Sequence, residues 1–391
     1  MKYILFFFFF MASTSSNSQS VKRLHRKATL VDTHNDVLSS GVLDGIDISN
    51  RTTEGHSDLV RWKEGGLDVQ FFSVFTGVKA RNKEGFFQDA VAEIDSLQRL
   101  VNRNPNSMIL ATDYSEVKKG IRQGKLVSLI GVEGGHMIED DMGKLVQLRK
   151  MGMRYMTLTW NNSTSWASSA KDETENPASL KQKGLNDFGK DVVRKMNELG
   201  VIVDLSHTGE QTFYDAIATT TKPVILSHSS VWNICPVFRN VKDEQIKAVA
   251  KNGGVICINF YSGFISKKWD ETQKFLIGQN KKILMGSNWN SDLDSIKREE
   301  KWKEFYSEQM NLVRPSISDL VDHIDYIVKL VGDDYVGIGS DYDGVGSLPI
   351  GLEDVTTYPK ITKELVRRGY SKKSIRKILG DNVLRVMKAN F

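Results

Sequence analysis

Cysteine is almost missing from this chain. Cys235 and Cys257 are the only two in 391 residues, so no disulfide framework can carry the fold. Both lie in apolar segments and read as buried free thiols. An excess of one charge is missing too. The 53 basic and 48 acidic side chains leave a net +5, too little for a dedicated nucleic-acid binder. A late basic cluster, Arg367, Arg368, Lys372, Lys373, Arg376 and Lys377, is spaced against Leu365, Ile375 and Leu379 as a solvated helix face. Proline is scarce, and no Pro/Gly linker or internal repeat divides the chain. No apolar run reaches the ~20 residues that span a bilayer. The run Tyr3 to Ala12 follows Lys2, holds five consecutive Phe and gives way to polar Ser13 to Ser20. That pattern predicts a signal peptide over residues 1–20, with an uncleaved anchor as the alternative. The mature chain is then exported, periplasmic or secreted, with no stable membrane insertion. No Cys follows the run, which excludes a lipoprotein anchor.

What is present is a regular alternation. Near-continuous apolar runs occur at Thr29–Asp32, Leu67–Phe75, Leu126–Val132, Arg154–Thr159, Val201–Leu205, Val224–Ser227, Val255–Phe260 and Val336–Gly339. Such runs suit parallel strands buried on both faces. Met108–Leu110 is a short ninth run, readable as an accessory strand. Helical spacing fills the gaps, as in Phe87, Ala90, Val91, Ile94, Leu97 and Val101. Eight strands alternating with helices predict an α/β fold, a (β/α)8 TIM-type barrel over residues 21–391. An open doubly wound sheet would present a Gly-rich phosphate loop after its first strand, and none is there. Residues 266–315 break the rhythm. They read as a helical excursion near the site, or as two plain surface helices.

Polar residues gather where these strands end. In such a barrel the active site lies at the C-terminal strand ends. The first strand runs into His34 and Asp36, the third into Glu133, the fifth into His207, the sixth into His228 and the eighth into Asp341 and Asp343. Any one could be structural filler. Four strand ends supplying His, Asp, Glu, His and His together are hard to dismiss when the chain has only seven histidines. His34 and Asp36 can hold one ion, His207 and His228 another, and Glu133 can bridge them. Imidazole and carboxylate donors suit two Zn2+, with Mn2+ or Co2+ as substitutes. The ions would share a water and lower its pKa. Two dications against Asp36, Glu133 and a hydroxide leave the site net positive, so it would polarise a carbonyl. Asp341 can relay a proton or equally bind a free ammonium. Asp343 faces the same side by strand alternation.

The phrases VDTHNDVL, GVEGGHMI, GVIVDLSH, PVILSHSSVWNICPVFRN, VGIGSDYDGV and GDNVLRVM resemble the membrane (renal) dipeptidase family of zinc peptidases, in order along almost the whole chain. The resemblance implies a binuclear zinc barrel that cleaves small dipeptides, often tolerating a C-terminal D-residue. It implies metal ligation by His34, Asp36, Glu133, His207 and His228, with Glu133 bridging. It gives Asp341 the proton or the substrate amine, and Arg239 the substrate carboxylate. Relatives are commonly homodimers, and no residue pattern here marks an interface. One departure stands out: Trp160 falls where the best-known members carry a substrate-contacting histidine. An indole donates one hydrogen bond and cannot become a cation. Two rival readings follow: a binuclear hydrolase of another amide, lactam or ester, and a non-catalytic peptide-binding barrel.

Overall fold

The computed structural model describes residues 19–285 and 292–391. The segment read as a signal peptide lies, but for Gln19 and Ser20, outside the described residues. Nine parallel strands occur among them: β1 (Val31–Asp32), β2 (Val69–Phe75), β3 (Met108–Leu110), β4 (Leu126–Glu133), β5 (Met153–Thr157), β6 (Ile202–Asp204), β7 (Ile225–Leu226), β8 (Val255–Ile258) and β9 (Val336–Ile338). Their order is β2-β1-β9-β8-β7-β6-β5-β4-β3, and β2 pairs with β4 from Val69↔Val127 to Phe75↔Glu133. That pairing closes the sheet into the expected eight-stranded (β/α)8 barrel. Met108–Leu110 is indeed accessory. It lies beside Leu126, Val127 and Ser128 of β4, on the edge that β5 takes from Ile130 onward.

Strand alternation divides the core. Phe72, Val74, Ile130, Val132, Met156, Val203, Ile256 and Ile338 join the cluster that packs the surrounding helices. Val69, Phe71, Val127, Leu129, Tyr155, Ile202, Ile225, Val255 and Cys257 form an inner cluster, completed by Val383, Val386 and Met387 of the C-terminal helix Asn382–Asn390. Both cysteines are free and buried. Helix starts are fixed locally: Asp58, Asp113, Asn186 and Ser316 each accept a first-turn N–H with their side chains.

Helices Lys267–Met285 and Asp292–Leu312 occupy the excursion between β8 and β9. Trp269, Leu276 and Met310 give it a small core of its own, against Tyr261. The late basic cluster departs from a uniformly solvated face at Arg368. Leu365, Ile375 and Leu379 are buried and Arg367, Lys372, Lys373 and Arg376 exposed, as expected. Arg368 instead pairs with Asp322, Asp325 and Glu364, tying helix Tyr358–Arg367 to helix Ile317–Val331. Lys377 pairs with Asp333 and Asp334. No helix among the described residues is long and apolar enough to cross a membrane.

Candidate active site

The strand ends converge as the spacing predicts. His34 Nε2 lies 3.4 Å from Asp36 Oδ2 and 3.5 Å from Glu133 Oε2. His207 Nε2 and His228 Nε2 lie 2.9 and 3.2 Å from Glu133 Oε1, and 3.0 Å from each other. The His34 and His228 rings stack, with centroids 3.8 Å apart. Asp341 completes the cluster: one ligand atom each from His34, Asp36 and Asp341 lie within 4.8 Å of one another, as do those of His34, Glu133 and His228.

The backbone works to make this possible. His207 and Asp341 adopt left-handed φ of 63° and 62°, a strain of order 1–3 kcal/mol each that clusters at functional sites. Gly344 leaves room for two carboxylates. A Cβ there would sit 2.2 Å from Asp36 Oδ2 and 2.5 Å from Asp341 Oδ1. Asp32, fully buried, accepts from His34 N at 3.2 Å and Ser340 N at 2.8 Å, and from the Ser340 and Tyr358 hydroxyls. It thereby joins the ends of β1 and β9. Asp343 does not follow the alternation expected of it. Its own φ of 67°, with that of Asp341, turns the chain out of strand geometry. Its carboxylate accepts from His56 N at 2.6 Å instead of joining the cluster.

The electrostatics fit a cation. Burial pushes the His207 imidazolium down to about 3, with Arg239 adding to the effect. Burial, then His34, pushes His228 well below the usual imidazole range. Burial opposes charge on His34 as well, but Tyr155, Asp36 and Glu133 hold it well above that range. Burial opposes ionisation of Glu133, yet His34, His207 and His228 keep its carboxyl well below the usual range. Burial pushes Asp341 well up, against His34 and reinforced by Asp36 and Glu133. His34 Nε2 and Asp36 Oδ1 are buried without a hydrogen-bond partner among the described residues. Unpartnered nitrogen and oxygen donors converging at this spacing are what a divalent ion takes.

A cleft of about 570 Å³ opens above this cluster. Arg239 lies in its wall, 4% exposed. Its Nη2 donates to His228 O at 3.1 Å, the guanidinium lies over Phe264, and Nε has no partner among the described residues. Burial lowers its pKa to about 10, so it stays cationic at neutral pH. Half-buried Trp160 lies tilted against Phe75, centroids 5.0 Å apart, and near His207 at 6.2 Å. Among the described residues, the excursion touches the cleft through Tyr261, whose hydroxyl meets Gln273 and whose ring meets Trp269. Several residues of this site went unassigned in the sequence. Tyr155 reaches His34 Nδ1 at 2.8 Å, Asn161 reaches His207 Nδ1 at 3.0 Å and Ser227 reaches His228 Nδ1 at 2.8 Å. Asn259 donates to Asp341 at 2.7 Å. A polar residue inside or just past an apolar run was the only signal for them.

A parallel barrel gathering three imidazoles and three carboxylates beneath one cleft defines a hydrolase of the metal-dependent kind. The chain belongs to the membrane dipeptidase family (peptidase family M19), whose family model matches residues 18–390. It is accordingly a dipeptidase, as the sequence motifs implied. The probable dipeptidase PvdM from Pseudomonas aeruginosa shares the fold with a TM-score of 0.78, at 24% identity over 95% of this chain and 97% of its own. A metallo peptidase from Rhodobacter sphaeroides, solved with a phosphinate mimic of the dipeptide L-Ala-D-Ala, gives a TM-score of 0.74 at 20% identity, over 93% of this chain and 99% of its own. An amidohydrolase from Pseudomonas aeruginosa gives 0.70 at 21% identity, over 94% and 98%.

Proposed function

We propose that this chain is a two-zinc dipeptidase for small dipeptides, including those ending in a D-residue. The observation that carries the reading is the division of Glu133. One oxygen faces His207 and His228, and the other faces His34. That supports a bridging carboxylate between an ion on His34 and Asp36 and an ion on His207 and His228. Zinc suits the donor set, with manganese or cobalt as substitutes. Two bound dications would supply a water of lowered pKa and would polarise the scissile carbonyl.

The chain's own groups do the rest. Arg239 offers a planar fork to the terminal carboxylate of the dipeptide, and its buried charge has an N–H to spare. Asp341, beside His34 and Asp36 in the floor of the cleft, would take a proton from the attacking water and return it to the leaving amine. Asn259 holds one of its oxygens in place. Trp160 and Phe75 form an aromatic wall beside the reacting bond, and the indole N–H donates to the substrate. The phosphinate mimic held by the Rhodobacter sphaeroides relative supports acceptance of a C-terminal D-residue. Residues 1–20 direct export, so the mature chain works in the periplasm or outside the cell.

The test is metal quantification on the purified mature chain, followed by a panel of L,L- and L,D-dipeptides. Two ions per chain and turnover are expected. Fewer than one ion, or no dipeptide turnover with metal loaded, overturns the proposal. His228→Ala is expected to lose one ion and nearly all turnover; wild-type-like activity in that variant refutes the two-metal scheme.

A further inference from the structure

Asp204 ends β6 fully buried, and its carboxylate is saturated with donors. It accepts from Ser206 N at 3.0 Å, Ser227 N at 2.9 Å, Ser227 Oγ at 2.6 Å and the Thr157 hydroxyl. Those contacts leave it no part in holding an ion. They place it between the two strand ends that carry His207 and His228. Ser227 Oγ also lies 2.8 Å from His228 Nδ1. A serine hydroxyl has one proton and two lone pairs. With four donors converging on Asp204, the Ser227 proton points to the carboxylate. A lone pair of Ser227 therefore faces His228, and Nδ1 must carry the imidazole proton. Nε2 is left bare toward Glu133 Oε1 and His207 Nε2, 3.2 and 3.0 Å away.

We propose that Asp204 and Ser227 are positioning residues that fix the tautomer of His228. Asp204 orients Ser227, Ser227 Oγ accepts a hydrogen bond from Nδ1–H, and the Nε2 lone pair is presented to a metal ion before any ion arrives. The inference rests on the reading that His228 is a metal ligand. Tyr155 plays the corresponding part at His34. Its hydroxyl donates a hydrogen bond to Thr33 O at 3.2 Å and accepts one from Nδ1 at 2.8 Å. A ligating imidazole whose far nitrogen is held in this way binds metal more tightly, and removing the holder typically weakens binding about 10–100-fold.

Two measurements on the full mature chain test this. Long-range 1H–15N spectra of the metal-free wild type read the tautomer directly. A protonated Nδ1 on His228 is expected, and a protonated Nε2 overturns the relay. Competition with a chromophoric chelator then gives the zinc affinities of wild type, Ser227→Ala and Asp204→Asn. One of the two ions is expected to bind about 10–100-fold more weakly in both variants, the other as before, with the metal-free Ser227→Ala still unfolding in one cooperative transition. Wild-type affinity for both ions in either folded variant overturns the proposal. A wild type that binds no zinc would sink the two-zinc reading instead, while the tautomer spectrum would still judge the relay.

Discussion

Replacing Gly131 by Ala places a methyl group inside the barrel where a ring already lies. A Cβ there would meet Tyr155 Cζ at 2.0 Å and both Cε atoms at 2.4 Å. Ordinary contact begins near 3.4 Å, so the ring must retreat by more than an ångström. It has little room, being fully buried and packed on Phe71 with centroids 5.1 Å apart. Overpacking of this kind costs about 1–3 kcal/mol. Tearing the hydroxyl from His34 and Thr33 adds about 1 kcal/mol. The expected loss is therefore about 2–4 kcal/mol, read as a shift in the urea midpoint at unchanged m-value. The sharper assay is a double-mutant cycle with Tyr155→Ala. Alone, that truncation leaves a cavity and costs about 3–5 kcal/mol. In the Gly131→Ala background the new methyl has space, so the pair should cost at least about 1 kcal/mol less than the sum. Additive losses would refute the steric argument.

Two further outcomes follow from the site and its frame. Trp160→Phe keeps the aromatic wall and removes the indole N–H; kcat/KM should fall about tenfold, the value of one hydrogen bond of about 1.4 kcal/mol, with metal content unchanged. An unaltered kcat/KM would leave Trp160 as packing alone. Asp68, which accepts from Leu30 N at 2.8 Å, is raised by burial to about 6. A raised folded pKa means stability that is complete below about 3.8 and lost as pH rises through about 6. Asp68→Asn should therefore stabilise the metal-free chain at pH 7.5 by up to about 3 kcal/mol, and the gain should shrink toward pH 4.5; a gain independent of pH would show that the charge is not its source.

The barrel was legible because its strands are buried on both faces, which writes each as an apolar run. Their ends were less so. Val255–Phe260 reads as one run, yet β8 stops at Ile258, where Asn259 starts a turn by accepting from Tyr261 N at 2.5 Å. The five expected ligands were legible by residue type at four strand ends, two of them on the first. Asp343 was misread because alternation holds only while φ stays extended, and Asp341 and Asp343 are both left-handed. Tyr155 and Asp204 were invisible as site residues. Tyr155 lies between Arg154 and Met156 in β5 and Asp204 ends β6, and the meaning of each lies in what the register brings opposite. Tyr155 has work to do only because Gly131 stands beside it and His34 lies across the barrel. No pattern within a single strand encodes that.

The buried carboxylate of Asp32 carries a consequence for the order in which the molecule is built. It accepts from Ser340, 308 residues away, as well as from neighbouring His34, and β1 meets β9 through the single register pair Asp32↔Ile338. Bringing such distant segments together adds only about 1–2 kcal/mol of loop entropy over the nearer seams, but it cannot occur until the last strand exists. The proposed ligands begin at residue 34, and their carboxylate partner Asp341 comes near the other end of the chain. A growing chain thus holds a fragment of the ion cluster and gains the whole of it only when the barrel closes. Metal uptake then reports completion of the fold, and the affinity of the finished centre is drawn partly from the free energy of folding.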